Sequence, residues 1–145
     1  MLLLENKIID AIAAHSERDY PSECGGMLIG EFLNGHKVVR ETFPLQNARE
    51  EAARHNRVLI LPGDVLKAEK FARETNREVI GYYHSHPDDA AVPSQYDLDH
   101  ALPVWSYVIA SVIKGRFDNI RSWELQHDRA RFDEEQIGTV YAEND

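Results

Sequence analysis

The sequence has a single cysteine, Cys24. That excludes an intrachain disulfide and any metal site rich in thiolates, and it fits a reducing compartment. Basic residues are scarce as well. Sixteen Lys and Arg stand against 25 Asp and Glu, for a net charge of −9, with no basic stripe. A surface that neutralises phosphates needs clustered Lys and Arg, so nucleic-acid binding is set aside. No apolar run approaches the roughly 18–20 residues of a membrane span. Met1 to Glu5 is too short for a signal-peptide core and lacks a basic leader, so a cytoplasmic protein is expected. Internal repeats, low-complexity stretches and linkers are also missing.

What remains fits one soluble domain over residues 1–145. Leu2 to Leu4 reads as a short strand. Glu5 to about Arg18 reads as a helix with Leu4, Ile8 and Ile12 on its apolar side, ended by Tyr20-Pro21. Gly25–Phe32 and His36–Phe43 flank Asn34-Gly35, a strong hairpin signal. Pro44 to Asn56 reads as a loop and Val58–Ile60 as a strand. Pro62 to about Asn76 is expected to be a helix burying Val65, Leu66, Ala68, Phe71 and Ala72. Glu78–His84 is expected as a strand, Pro87–Pro93 as a loop and Ser94 to about Leu102 as a short helix. Strands at Trp105–Ile113 and Asn119–Gln126 meet around Gly115, and a last one includes Ala130–Phe132. The acidic end, Tyr141–Asp145, is expected to fray. Interspersed strands and helices indicate an α/β or α+β fold.

His84 and His86 carry the first chemical signal. On an extended backbone, side chains two apart point the same way and can reach one ion. Read alone, His-x-His is more often two loop histidines. Asp97 is the third candidate. Ser94-Gln95-Tyr96-Asp97 also has the form of a capping box, which by itself accounts for both end residues. The two readings are compatible, since a helix start would hold Asp97 rigidly. Two histidines and one carboxylate leave a tetrahedral ion with an open position, as catalytic zinc requires. Glu23, just before Gly25-Gly26, is a candidate base; taken in isolation it reads as a surface turn residue.

His84-Ser85-His86-Pro87, then Ser94 and Asp97, resemble the His-x-His…Ser-x-x-Asp signature of the JAMM (JAB1/MPN/Mov34) metalloprotease family, compact prokaryotic type. Tyr20-Pro21-Ser22-Glu23-Cys24-Gly25-Gly26 is similar to that family's glutamate segment. The resemblance implies a cytidine-deaminase-like curved mixed β-sheet packed by helices. It implies one Zn2+ on His84, His86 and Asp97 with a catalytic water, Glu23 as general acid/base and Ser94 as donor to an oxyanion. It implies cleavage of a peptide or isopeptide bond after the Gly-Gly tail of a small ubiquitin-like or sulfur-carrier protein. Relatives often carry two cysteines after the glutamate; here Gly25 follows Cys24, and Cys24 reads as a small buried residue.

Other residues are weaker candidates. His100 reads as a helix-surface residue, and Asp88 and Asp89 as solvated loop acids. His15, His36, His55 and His127 have no partner at ligand spacing, and Trp105 and Trp123 suit strand cores. Two further readings fit these residues less well. A non-catalytic scaffold domain of the same family has no need of all five site residues. A nucleobase deaminase requires Pro-Cys-x-x-Cys, which one cysteine cannot supply.

Overall fold

A computed structural model describes residues 1–45, 62–102 and 104–140. The Val58–Ile60 strand, His55, most of the expected Pro44–Asn56 loop and the acidic end fall outside these. The strands are β1 (Leu2–Glu5), β2 (Gly25–Leu33), β3 (His36–Leu45), β4 (Glu78–Pro87), β5 (Ser106–Ile113), β6 (Arg116–Leu125), β7 (Phe132–Glu135) and β8 (Ile137–Val140). The helices are α1 (Asn6–Asp19), α2 (Pro62–Glu74) and α3 (Gln95–His100). The strands form one mixed sheet in the order β7-β6-β5-β4-β2-β3-β1-β8.

Local chemistry explains the elements. Asn34 and Gly35 have φ of 52° and 80°, the two positive angles of a tight hairpin turn, and they pair β2 with β3. Lys114 and Gly115, at 51° and 82°, do the same between β5 and β6. In α1, Ile8, Ile12, His15 and Ser16 are buried, a stripe at helical spacing, and the helix stops before Pro21. In α2, Ala68 and Ala72 are buried, whereas Leu66 is 65% exposed, contrary to expectation. The cause is its position: Leu66 lies two residues from Ala68, nearly opposite on a helix.

The sheet has two apolar faces. One packs Leu28, Val39, Ile80, Tyr83, Val108 and Ala110 with α1; the other packs Met27, Ile29, Tyr82 and Tyr107 with Ala68 and Ala72 of α2. The sheet is rolled around α1, which touches β1, β3, β4, β5 and β6. Lys37 on β3 gives the same result independently. Its Nζ lies 2.9 Å from Ser106 Oγ on β5, although β2 and β4 run between those strands. Three strand steps in a flat sheet would span about 14 Å, well beyond a lysine's reach. Lys37 Nζ also reaches Glu124 at 2.8 Å and Glu135 at 3.5 Å.

Several boundaries differ from expectation. β4 continues through Pro87 because it pairs in parallel with β5 as far as Val112. β3 continues through Pro44 to Leu45, paired with β2. β6 starts at Arg116, immediately after the turn, and the final strands are Phe132–Glu135 and Ile137–Val140. Gln136 alone separates these two, which sit at opposite edges of the sheet.

Candidate metal centre

A bulge in β4 decides which side chains face the site. Leu28 pairs with Gly81 but Ile29 pairs with Val79, so β4 holds one extra residue there. Val79 faces α2 and Ile80 faces α1; beyond the bulge Tyr82 faces α2 and Tyr83 faces α1. The shift in parity turns Tyr82, and with it His84 and His86 by alternation, to the α2 side. Gly81 is required at this point, because a Cβ would lie 2.4 Å from the Ser106 carbonyl oxygen. Tyr82 stacks on His84, with ring centroids 5.5 Å apart.

Asp97 comes from the first turn of α3. Ser94 Oγ accepts from the Asp97 amide at 3.1 Å, and Asp97 Oδ2 accepts from the Ser94 amide at 2.8 Å. This is the reciprocal box read in the sequence, and it aims the carboxylate at the histidines. His84 Nε2 lies 3.2 Å from Asp97 Oδ1 and His86 Nε2 lies 3.4 Å from Oδ2. The two Nε2 atoms are 3.1 Å apart. One ligand atom from each residue thus falls within 4.8 Å of the others.

These residues fit a metal ion. His86 Nδ1 donates to the Ala90 carbonyl at 2.9 Å, which leaves the Nε2 lone pair facing inward. His84 Nδ1 is buried without a hydrogen-bond partner among the described residues. Lone pairs that converge this closely need a proton or a cation among them, and two imidazoles with a carboxylate are zinc-type donors. The electrostatics agree. Burial alone would push the Asp97 carboxyl up, but contacts from His84, His86 and the Ser94 amide hold it well below the usual carboxylate range. Burial also disfavours charge on His86, yet Asp97, the Ala90 carbonyl and Glu23 together raise its pKa.

Glu23 is 9% exposed, and its charge is felt at His86 and Tyr82. Ser85 fixes its neighbourhood. Pointing to the opposite face from the histidines, Ser85 Oγ accepts from the Cys24 amide at 2.8 Å, while the Ser85 amide donates to the Cys24 carbonyl at 3.1 Å. These bonds align the glutamate segment with the histidine strand.

Several contributors were not singled out from the sequence. The Ser111 hydroxyl donates to the Asp89 carbonyl at 2.5 Å. Trp123 packs on the α2 face as expected, and its indole N–H also donates to the Ala91 carbonyl at 3.0 Å. Tyr20 donates to Asp88 at 2.5 Å. Only Ser85 left a readable signal, since strand alternation turns the middle residue of His-Ser-His away from the ligands. His15 is buried and paired with Tyr83 and Asp19, away from the ligand face. The side chain of His100 lies outside the described residues.

A rolled mixed sheet with two histidines at the end of a central strand and an aspartate at a helix start defines a JAB1/MPN-type domain. Residues 5–126 match the family described as prokaryotic homologs of the JAB domain, and the chain belongs to it. The chain is 26% identical over 126 residues to a CysO-cysteine peptidase of Mycobacterium tuberculosis, covering 86% of this chain and 83% of that protein. It is 28% identical over 109 residues to a desampylase of Haloferax volcanii, covering 70% and 74%. It is 32% identical over 108 residues to the tail tip assembly protein K of Escherichia phage N15, covering 72% of this chain but 40% of that protein. Among solved structures, a Desulfitobacterium hafniense protein superposes with a TM-score of 0.85 at 27% identity, covering 99% and 96% of the two chains. A JAB1/MPN domain protein of Archaeoglobus fulgidus shares the fold at a TM-score of 0.57 and 17% identity, covering 97% and 99%. Among the described residues, no helix is long and apolar enough to cross a membrane.

Proposed function

We propose that this protein is a zinc-dependent peptidase or isopeptidase that hydrolyses the amide bond after the Gly-Gly tail of a small ubiquitin-like or sulfur-carrier protein. The observation that carries the reading is the convergence of His84, His86 and Asp97 beside the buried Glu23. His84 Nε2, His86 Nε2 and an Asp97 oxygen would hold the ion. Zinc supplies Lewis-acid polarisation and makes water a competent nucleophile near neutral pH.

The chain's own groups complete the chemistry. The Glu23 carboxylate accepts a proton from the attacking water and returns it to the leaving amine. Ser94 Oγ accepts from the Asp97 amide, a bond that does not use its O–H, and that O–H would donate to the oxygen that gains charge. Tyr82 beneath His84 and the buried strand walls limit solvent, which strengthens both interactions. The CysO-cysteine peptidase and the desampylase among the relatives support a small carrier protein as substrate.

The test is metal analysis after zinc loading, followed by incubation with a carrier protein extended beyond Gly-Gly. One zinc per chain and release of the extension are expected. Glu23→Gln keeps the zinc and loses turnover by about 10²–10⁴-fold, whereas His84→Ala loses the zinc. Absence of zinc from the loaded wild-type protein would sink the reading.

A further inference from the structure

We propose that Tyr20 is a positioning residue, whose hydrogen bond to Asp88 holds Glu23 in place against the strand end that carries His86. The proposal rests on the reading of Glu23 as the base.

The loop after His86 is a fixed platform. Asp88 Oδ1 accepts from the Lys114 amide at 2.8 Å, and the Asp88 amide donates to the Val112 carbonyl at 2.6 Å. The next three carbonyls accept in turn from Ser111, His86 and Trp123. Four consecutive residues are therefore tied to β4, β5 and β6 or to the turn between the last two. Against this platform the phenol of Tyr20 donates to Asp88 Oδ2 at 2.5 Å. Its ring sits beside the β5–β6 turn, where a Cβ on Gly115 would lie 3.7 Å away.

Glu23 thus lies between two anchors on the same stretch of chain. Upstream, Tyr20 holds Asp88, two residues past His86. Downstream, Cys24 exchanges hydrogen bonds with Ser85, one residue before His86. The intervening residues are Pro21, with its fixed φ, and Ser22, whose amide donates to the Asp19 carbonyl at 2.8 Å. Release of the upstream anchor loosens the backbone that carries Glu23, which can then shift about the Cys24 anchor. A proton acceptor must sit within hydrogen-bond reach of the reacting water, so a small shift weakens turnover without touching the ligands.

The zinc-loaded protein tests this with the extended carrier as substrate. Tyr20→Phe keeps the ring and removes the donor. A fall in kcat of about five- to tenfold is expected, with KM and zinc stoichiometry unchanged. Amide exchange at Ser22 and Glu23 should rise, read without any turnover. Asp88→Ala should lose at least as much as Tyr20→Phe, because it also removes the acceptor of the Lys114 amide, and Asp88→Asn, which keeps one oxygen for that amide and offers an N–H that the Tyr20 oxygen can accept, should recover most of the rate. In a Glu23→Gln background, Tyr20→Phe should change the residual rate no further, because the group it positions is already gone. An equal loss in that background would show a general structural role and overturn the proposal. So would wild-type kcat and exchange in both Tyr20→Phe and Asp88→Ala while Glu23→Gln is inactive; the base assignment would survive. Full rate in Glu23→Gln would overturn the base assignment and this proposal together.

Discussion

Tyr83 and His15 meet across the interface between α1 and the sheet, with the phenol oxygen 2.7 Å from His15 Nδ1 and the rings edge to face. Tyr83 follows Tyr82 and precedes His84, yet it points to the opposite face. Gly26 on the adjacent strand makes room for it, since a Cβ there would lie 2.4 Å from the tyrosine ring. The other His15 nitrogen faces Asp19 Oδ2 at 3.3 Å. The first helix is thereby pinned to the back of the strand that carries the candidate ligands.

The contribution of His15 to stability should therefore fall in mild acid. Burial pushes the His15 pKa down and Arg18 adds to this, against the opposing pull of Asp19. An unfolded histidine takes up its proton near ~6.5. Below that pH the unfolded chain binds more protons than the folded one, so acidification favours unfolding until the folded histidine also titrates. Urea midpoints from pH 5 to 8 should decline below about 6.5. His15→Gln, which cannot titrate and keeps a side-chain partner for Tyr83, should flatten that decline. An unchanged profile would refute the assignment.

Cys24 should be chemically silent in the native protein. It is 1% exposed, and burial pushes its thiol up to about 12, with a smaller opposing contribution from Ser85. The thiolate is the reactive species, so iodoacetamide at pH 8 should label native protein about a thousandfold more slowly than urea-unfolded protein. Comparable rates in the two states would count against the buried position.

The buried charge network around Lys37 predicts a large loss of stability. Ser106 and Ser122 donate to Glu135 Oε1 at 2.6 and 2.9 Å, and Lys37 supplies the neighbouring cation. The Glu135 side chain is 4% exposed, so Lys37→Met strands a buried carboxylate, at a cost of roughly 3 kcal/mol. Adding Glu135→Gln removes the charge and keeps an acceptor for both serines. The double variant should regain most of the lost stability in urea titrations; equal loss in both variants would exclude a charge effect.

Ser94 should separate into two roles. Glycine is nearly as good a helix cap as serine, so Ser94→Gly should cost only a few tenths of a kcal/mol in stability. It removes the hydroxyl that serves as oxyanion donor in the proposed reaction, and turnover should fall by about 10²–10³-fold. Zinc content should hold. A variant with normal turnover would reduce Ser94 to a cap.

Much of this was legible in the sequence because it depends on local chemistry. Asn34-Gly35, Pro21 and the Ser94–Asp97 box act over a few residues, and each produced the expected turn, stop or cap. His84 and His86 share a side because alternation places them there. The roll of the sheet was not legible, because it depends on contacts among distant strands. For the same reason nothing in the local sequence marks Lys37 as buried, which it is. The bulge at Ile80-Gly81 was hidden as well. An extra residue in one strand is defined only against its partner, here Leu28 and Ile29. The anchors around Glu23 are side-chain hydrogen bonds across 61 to 68 positions of sequence, which no local pattern encodes.

The short link at Gln136 bears on how the molecule comes apart. The Leu2 amide donates to the Gln136 carbonyl at 2.9 Å, so a single peptide unit joins one rim of the sheet to the other. An open sheet can lose a border strand and keep the rest. Here β7 cannot detach from β6 without pulling on β8 and, through it, on β1 and the start of the first helix. Strands β1 and β8 therefore close a hoop around the core with β7, and release of any one of them is resisted by the whole circumference. Unfolding should be correspondingly all-or-none, with β1, β6 and β7 releasing their amides to exchange together.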